Sequence, residues 1–528
     1  MRRVLPAYLS LCLVAASACG GADPTAPADL VDDAAVPDAF VVQLPAMDAG
    51  MPDAPSNASD ATAPDASADA DTHADASADA LEASSDAPGP TTTADADAPE
   101  DAGTTPEGAA EAGCPSPSTL CGTGCVSTST DDANCGACGH ACGGGETCQS
   151  GACACPSGQT YCGSACTTTS SDSANCGTCG HACTGGETCQ SSVCACPSGD
   201  TLCGGVCVAE STDANNCGAC GHGCLGGACS AGACQPVVLV TPGGAVEEVA
   251  TDGTSVYWTD TGVGSTGSVG KCTIASCAST VTSLATGLAA VLPIVVDPIE
   301  MRVLFGEIPA NGSGGGLWQV TNAGGTAQTW GPNIGEVDAI WIVPNPSVYF
   351  WAGVTGGVYI SNGVGSYIEN VFTGGCTVGV TTDPDYVYAT DHCGNRLLSC
   401  GIHDTCGSSP TVVATGIVGA NQLYYDGATL WMTAEGSAAN GFTDGALYKC
   451  SATSCAVFAS GQTAPSRLVS DGTNAYWTSQ MGAIMRSPVG AGAPVAIASS
   501  PQPLGITQTS TAILWADSQA GRVYLLAK

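Results

Sequence analysis

The stretch Asp252-Gly-Thr-Ser-Val-Tyr257-Trp258-Thr259-Asp260 decides the fold, because it returns as Asp471-Gly-Thr-Asn-Ala-Tyr476-Trp477-Thr478-Ser479. Each copy reads as a turn, then a strand carrying aromatic residues, then a hairpin. Weaker copies are Ser347-Val-Tyr349-Phe350-Trp351, Asp385-Tyr-Val-Tyr388-Ala-Thr390-Asp391, Asp426-Gly-Ala-Thr-Leu-Trp431 and Ala512-Ile-Leu-Trp515-Ala-Asp517. Arg302-Val-Leu-Phe305-Gly fills the remaining slot. The spacing is about 40 to 45 residues, the length of one four-stranded propeller blade. From Val237 to Lys528 short β-branched or aromatic runs alternate with glycine-rich turns, and no stretch has helical periodicity. The region therefore reads as an all-β domain, a C-terminal β-propeller over residues 236–528, with seven blades by the count of phrases. The last unit begins near Pro501 and has room for three strands. The isolated strand Val237 to Val240 is expected to supply the fourth and close the ring, which removes the open sheet edges.

On these residues the region resembles the YWTD-type β-propeller family. Tyr257-Trp258-Thr259-Asp260 is a full match, and Tyr476-Trp477-Thr478 lacks only the Asp. The resemblance is strong in two blades and spans nearly all of 237–528. It implies that the aromatic residues are architectural and pack between blades. Six blades is the family's usual number and stands as the alternative to seven. The resemblance carries no binding residue onto this chain, because the family's sites lie in loops that do not match here.

Cysteine dominates the region before the propeller. Of 34 in the chain, 24 fall in three copies of one unit with a period of 41 residues, at Cys114–Cys153, Cys155–Cys194 and Cys196–Cys234. Such density marks a disulfide scaffold and an oxidising compartment. Units of this size, with almost no apolar core, need covalent staples or metal. Eight cysteines allow 105 pairings, so the connectivity stays open. Residues 114–235 resemble the Cys-rich repeats of exported proteins of myxobacterial type, which implies location rather than activity. The block Cys135-Gly-Ala-Cys138-Gly-His140-Ala-Cys142 invites a metal reading. The even cysteine number and the oxidising setting favour disulfides, with His140, His181 and His222 as surface residues of the scaffold. Sequestration of metal by these cysteines is the alternative.

The N-terminus agrees with export. Arg2 and Arg3 precede an apolar run from Val4 to Ala18, which ends in Ala16-Ser17-Ala18-Cys19. Residues 1–18 read as a signal peptide. The ending resembles a bacterial lipobox, with Ala16 where Leu is usual, and implies acylation of Cys19. Plain secretion is the alternative. Residues 19–113 are rich in Ala, Asp and Pro and are expected to be a disordered, extended, lipid-anchored stalk. The chain carries 48 acidic against 10 basic residues, and no Lys or Arg lies between Arg3 and Lys271. That balance argues against nucleic acid, and against any membrane contact beyond the anchor. The expected place is the outer membrane or cell surface.

In the propeller, Cys272 with Cys277, Cys400 with Cys406, and Cys450 with Cys455 are spaced like the two sides of hairpins, close enough for disulfides. Cys376 and Cys393 remain to pair across adjacent strands of one blade. No catalytic motif is present. Glu307, Glu336, Asp338, Asp383 and Glu435 are candidates for an end face, as turn residues and solvated acids or as ligands of a channel metal. His392 and His403 are the only histidines of this region. The expected function is recognition of a protein or glycan at the cell surface, without a cofactor unless the propeller holds calcium. A propeller hydrolase or lyase with a channel metal is the alternative.

Overall fold

The computed structural model describes residues 113–528, apart from 263–265, 309–314, 331–335, 344–346, 354–356, 363–367, 374 and 491. The signal segment, Cys19 and all of the stalk except Gly113 lie outside the described residues.

Each Cys-rich unit is a pair of short hairpins, such as Thr119–Cys121 with Gly124–Val126 and Thr147–Gln149 with Ala152–Ala154. Within every copy the first cysteine joins the third, the second the fifth, the fourth the seventh and the sixth the eighth. The histidine, exposed at the surface in the first two copies as expected, also closes its own loop. Cys135 N–H donates to His140 O (2.8 Å), and the His140 ring donates back through Nδ1 to Cys135 O (2.6 Å). The same closure recurs at His181 with Cys176. Gly139 sits at φ +76°, which a side chain disfavours, and its N–H is held by Asn134 Oδ1 (2.8 Å). The Cys-Gly-x-Cys-Gly-His block is thus a self-closing loop.

The propeller has seven four-stranded antiparallel sheets. The inner strands, a, of blades 1 to 7 are Val246–Thr251, Ala290–Asp297, Ala339–Val343, Thr377–Thr382, Ala420–Tyr425, Pro465–Ser470 and Pro503–Gln508. Strands b, c and d follow outward in chain order, except in blade 7. There strand d is Val237–Val240, which pairs with Arg522–Ala527 in the register Val237–Leu525 and Val238–Tyr524. The two ends of the domain therefore share one sheet.

The recurring aromatic pair explains the ring. Successive residues of a strand face opposite sides, so Tyr257 and Trp258 on strand b of blade 1 enter two different cores. Tyr257 packs with Phe305 of blade 2, and Trp258 with Leu514 of blade 7. The pattern repeats around the ring: Leu304 with Trp351, Phe350 with Ala389, Tyr388 with Met432, Trp431 with Trp477, and Tyr476 with Trp515. Seven blade interfaces thus hold seven buried clusters, each built from the first residue of one pair and the second residue of the next.

The Asp that opens the phrase folds the a–b turn. Asp426 accepts the N–H groups of Ala428 (3.0 Å) and Thr429 (2.7 Å) and the indole N–H of Trp431 (2.8 Å). Asp252 does the same for Thr254, Ser255 and Tyr257 OH, and Asp383 for Asp385, Tyr386 and Tyr388 OH. Five residues separate acid and ring because the turn plus one strand step brings them together.

Candidate binding site at the channel mouth

The Thr of the phrase shapes the centre of the ring. In six blades strand a shifts register near its start, a β-bulge, and in three of them a bulge N–H pairs with a side chain instead of the ladder. Threonine of strand b fills the gap. Thr259, Thr433 and Thr478 accept the N–H of Glu248 (3.2 Å), Gln422 (3.1 Å) and Arg467 (3.1 Å). The hydroxyls of Thr390, Thr433 and Thr478 also donate to the bulge of the next blade, at Asn421 O (2.6 Å), Ser466 O (2.7 Å) and Leu504 O (2.7 Å). A hydroxyl both accepts and donates, which is why Thr suits this place better than Val.

Three bulge residues reach the channel. Glu248, Gln422 and Arg467 line a central cavity of about 290 Å³, together with Asp338 and an apolar wall that includes Val295, Trp341, Tyr424 and Val469. Arg467 is the only Lys or Arg in the seven inner strands. Its Nε donates to Glu248 Oε1 at 2.7 Å, with side chains only 9% and 12% exposed, so water screens the pair weakly. The two come from blades 6 and 1, across Gly505 of blade 7. A Cβ at Gly505 would lie 2.6 Å from Glu248 Cα, so glycine there is a condition of the approach. Gln422 Oε1 accepts the Leu468 N–H (2.5 Å). Deeper in, the Trp341 and Tyr424 rings meet edge-on at 6.3 Å, and Trp341 Nε1 donates to Thr382 Oγ1 (3.1 Å).

Around this mouth stand more acids. Burial pushes Glu247 up to about 7, against the opposing hydrogen bond from Ser518 Oγ (3.0 Å). Burial also raises Glu435, opposed by the charges of His392 and Arg467, and Asn421 Nδ2 donates to it at 2.5 Å. His392 Nδ1 donates to Ala420 O (3.0 Å). The arrangement offers carboxylates, one guanidinium, amides and an aromatic wall, a set suited to holding a polar ligand with an apolar part.

Of the sequence candidates, Glu307, Glu336, Asp338 and Glu435 lie at the strand-a start and strand-b end of their blades, and Asp383 lies at the other end. Glu435 is part of the mouth, and Asp338 lines the cavity. Glu307 accepts the Ala289 N–H (3.0 Å), and burial raises Glu336. Asp383 belongs to an a–b turn, at the opposite end of the strands from Glu435. His403 is exposed inside the loop that Cys400 and Cys406 enclose. Among the described residues no three carboxylate or imidazole ligand atoms converge within 4.8 Å at the channel. The groups of close ligand atoms that occur are cysteine sulfurs, one with Glu210, and every sulfur in them is disulfide-bonded. Glu247, Glu248, Gln422 and Arg467 escaped the sequence reading. A lone Arg inside the apolar strand Pro465–Ser470 was their one visible signal.

The propeller cysteines form the disulfides Cys272–Cys277, Cys376–Cys393, Cys400–Cys406 and Cys450–Cys455. Cys450 and Cys455 face each other across a hairpin. Cys272 and Cys277 instead flank a helical turn, Ile274–Ser276 running into Cys277–Thr280, because the c–d connection of blade 1 coils rather than folding flat. The sixteen disulfides fit an oxidising, extracytoplasmic setting. Among the described residues no helix is long and apolar enough to cross a membrane.

No known protein-family model matches the sequence, and no curated protein matches it. Among solved structures the chain is similar to a streptogramin B lyase, at 12% identity and a TM-score of 0.44 over 55% of this chain and 96% of that one. It is also similar to the WD40 β-propeller domain of Doa1, at 11% identity and a TM-score of 0.43 over 55% and 95%. The computationally designed protein Ika8 gives 11% identity and a TM-score of 0.39 over 54% and 83%.

Proposed function

We propose that the chain is an exported recognition protein of the bacterial cell surface, anchored by acylated Cys19, whose propeller head binds its ligand at the channel mouth. One observation carries the reading. The residues that the repeating phrase thrusts out of the blade ladders, Glu248, Gln422 and Arg467, meet around one cavity. A bulge held by dedicated threonines is a designed feature that re-aims side chains. The acidic stalk and the stapled repeats suit a head carried away from a membrane. The full and partial matches to the YWTD phrase support the family likeness, and their residues are structural in this chain too. The ligand is a protein or glycan of the envelope.

The test is capture from cell-envelope extract by the oxidised full chain, with and without calcium, beside the double variant Glu248→Ala/Arg467→Ala. The proposal expects a component retained by the native chain and lost from the variant. Equal retention by both would place recognition elsewhere on the molecule, and calcium-dependent retention would make the ion part of the site.

A further inference from the structure

We infer that the third Cys-rich repeat is a built-in clamp on the closure of the propeller ring, and not one more spacer unit. The three copies share one disulfide pattern, so they serve as controls for one another. In the first two copies the sixth and eighth cysteines, Cys142 with Cys153 and Cys183 with Cys194, are half-buried, and His140 and His181 are exposed. In the third copy Cys224 and Cys234 are buried, and His222 is half-buried. What covers them is the propeller. Cys217, Cys224 and Cys234 belong to the same apolar cluster as Tyr476 and Val469 of blade 6 and Trp515 and Leu526 of blade 7.

Polar contacts fix the same junction. His222 Nδ1 lies 2.5 Å from Cys217 O, as in the other copies, and its Nε2 lies 2.5 Å from the backbone oxygen of Lys528. The Lys528 ammonium donates to Gln508 Oε1 (2.8 Å), pairs with Asp471 Oδ2 (3.1 Å) and stands over the Tyr476 ring (5.5 Å). Asp471 opens the repeating phrase of blade 6, so the clamp grips a turn of the ring frame.

The sequence of the third copy departs from the other two at this place. Cys142-Gly-Gly-Gly-Glu-Thr-Cys148 and Cys183-Thr-Gly-Gly-Glu-Thr-Cys189 become Cys224-Leu-Gly-Gly-Ala-Cys229, one residue shorter and without the Glu. The shortened loop crosses the link to the closing strand. A Cβ at Gly227 would lie 2.3 Å from Gln235 O and 3.3 Å from Val237 Cγ2. Only Gln235 and Pro236 separate Cys234 from the strand Val237–Val240 that closes blade 7. The Cys224–Cys234 disulfide therefore holds the start of the closing strand against the blades it closes.

The test uses the oxidised full chain. All eight Trp lie between 258 and 515, so Trp fluorescence reports on the propeller alone. Replacing Cys224 and Cys234 by Ala is expected to lower the Trp-detected melting midpoint by about 5–10 °C. The matched replacement of Cys183 and Cys194 is expected to lower it by less than about 2 °C. His222→Ala leaves every disulfide in place and is expected to lower the midpoint by about 2–4 °C, while His181→Ala leaves it unchanged. Hydrogen exchange of Val237–Val240 should quicken roughly tenfold or more in both third-repeat variants. Equal shifts from the second-repeat and third-repeat variants, or unchanged exchange at Val237–Val240, would overturn the inference.

Discussion

Replacing Thr478 by Val tests whether the Thr of the repeating phrase is a structural strut. The two side chains have nearly the same shape, so packing in the fully buried site is preserved. The hydroxyl is lost, and with it the bond to Leu504 O (2.7 Å) and the acceptor for Arg467 N–H (3.1 Å). Two buried backbone groups then lack these partners. At about 1–3 kcal/mol for each unsatisfied group, and some relaxation of the bulge, the expected loss is about 2–4 kcal/mol. Thr478→Ser keeps the hydroxyl and should cost about 1 kcal/mol, for one buried methyl. Thr453→Val, in an exposed turn of blade 5, should cost less than about 0.5 kcal/mol. Urea unfolding followed by Trp fluorescence measures all three. A loss for Thr478→Val no larger than that for Thr453→Val would refute the role given to the hydroxyl.

Two further changes probe the mouth and the turns. The raised Glu247 holds a proton in the folded chain that the unfolded chain releases near the ordinary value, so stability falls as pH rises from about 4.5 to about 7. Glu247→Gln removes that dependence: unfolding curves should differ little from native at pH 4 and show a gain on the order of 2–3 kcal/mol at pH 8, whereas a gain independent of pH would contradict the burial argument. Asp426→Ala removes three hydrogen bonds and strands the indole N–H of buried Trp431; a loss of about 2–3 kcal/mol is expected in urea unfolding, and a loss below about 0.5 kcal/mol would show that the turn holds without it.

The ring was legible because its devices repeat. One phrase returning seven times announces the blades, and Val237–Val240 stood out as a strand with no partner nearby in sequence. Blade 3 matched poorly because its aromatic run, Tyr349-Phe350-Trp351, is displaced by one position, with Phe350 and Trp351 filling the two interface sites. The mouth was far less legible. Glu247, Glu248, Gln422 and Arg467 come from blades 1, 5 and 6, and what joins them is a register shift in strand a, which leaves no mark in residue type. Acids such as Glu307 and Asp383 looked equivalent to Glu435 in the sequence, yet Glu307 is spent on the Ala289 N–H of blade 2 and Asp383 on an a–b turn at the other end of the strands. The disulfide order within the repeats depends on where short hairpins place each sulfur, and spacing alone does not encode that.

The stapled repeats and the clamp on blade 7 both require a chain that is exported and fully oxidised. The most direct measurement is a thiol count by alkylation and mass spectrometry on protein recovered from the cell envelope, before and after reduction. The account predicts no alkylated cysteine between Cys114 and Cys455 before reduction, and a mass gain of about 32 Da on reduction, two hydrogens for each of the sixteen disulfides. Free thiols in the repeats of the recovered protein, above all thiols exposed only after a chelator is added, would contradict it and favour metal held by cysteine.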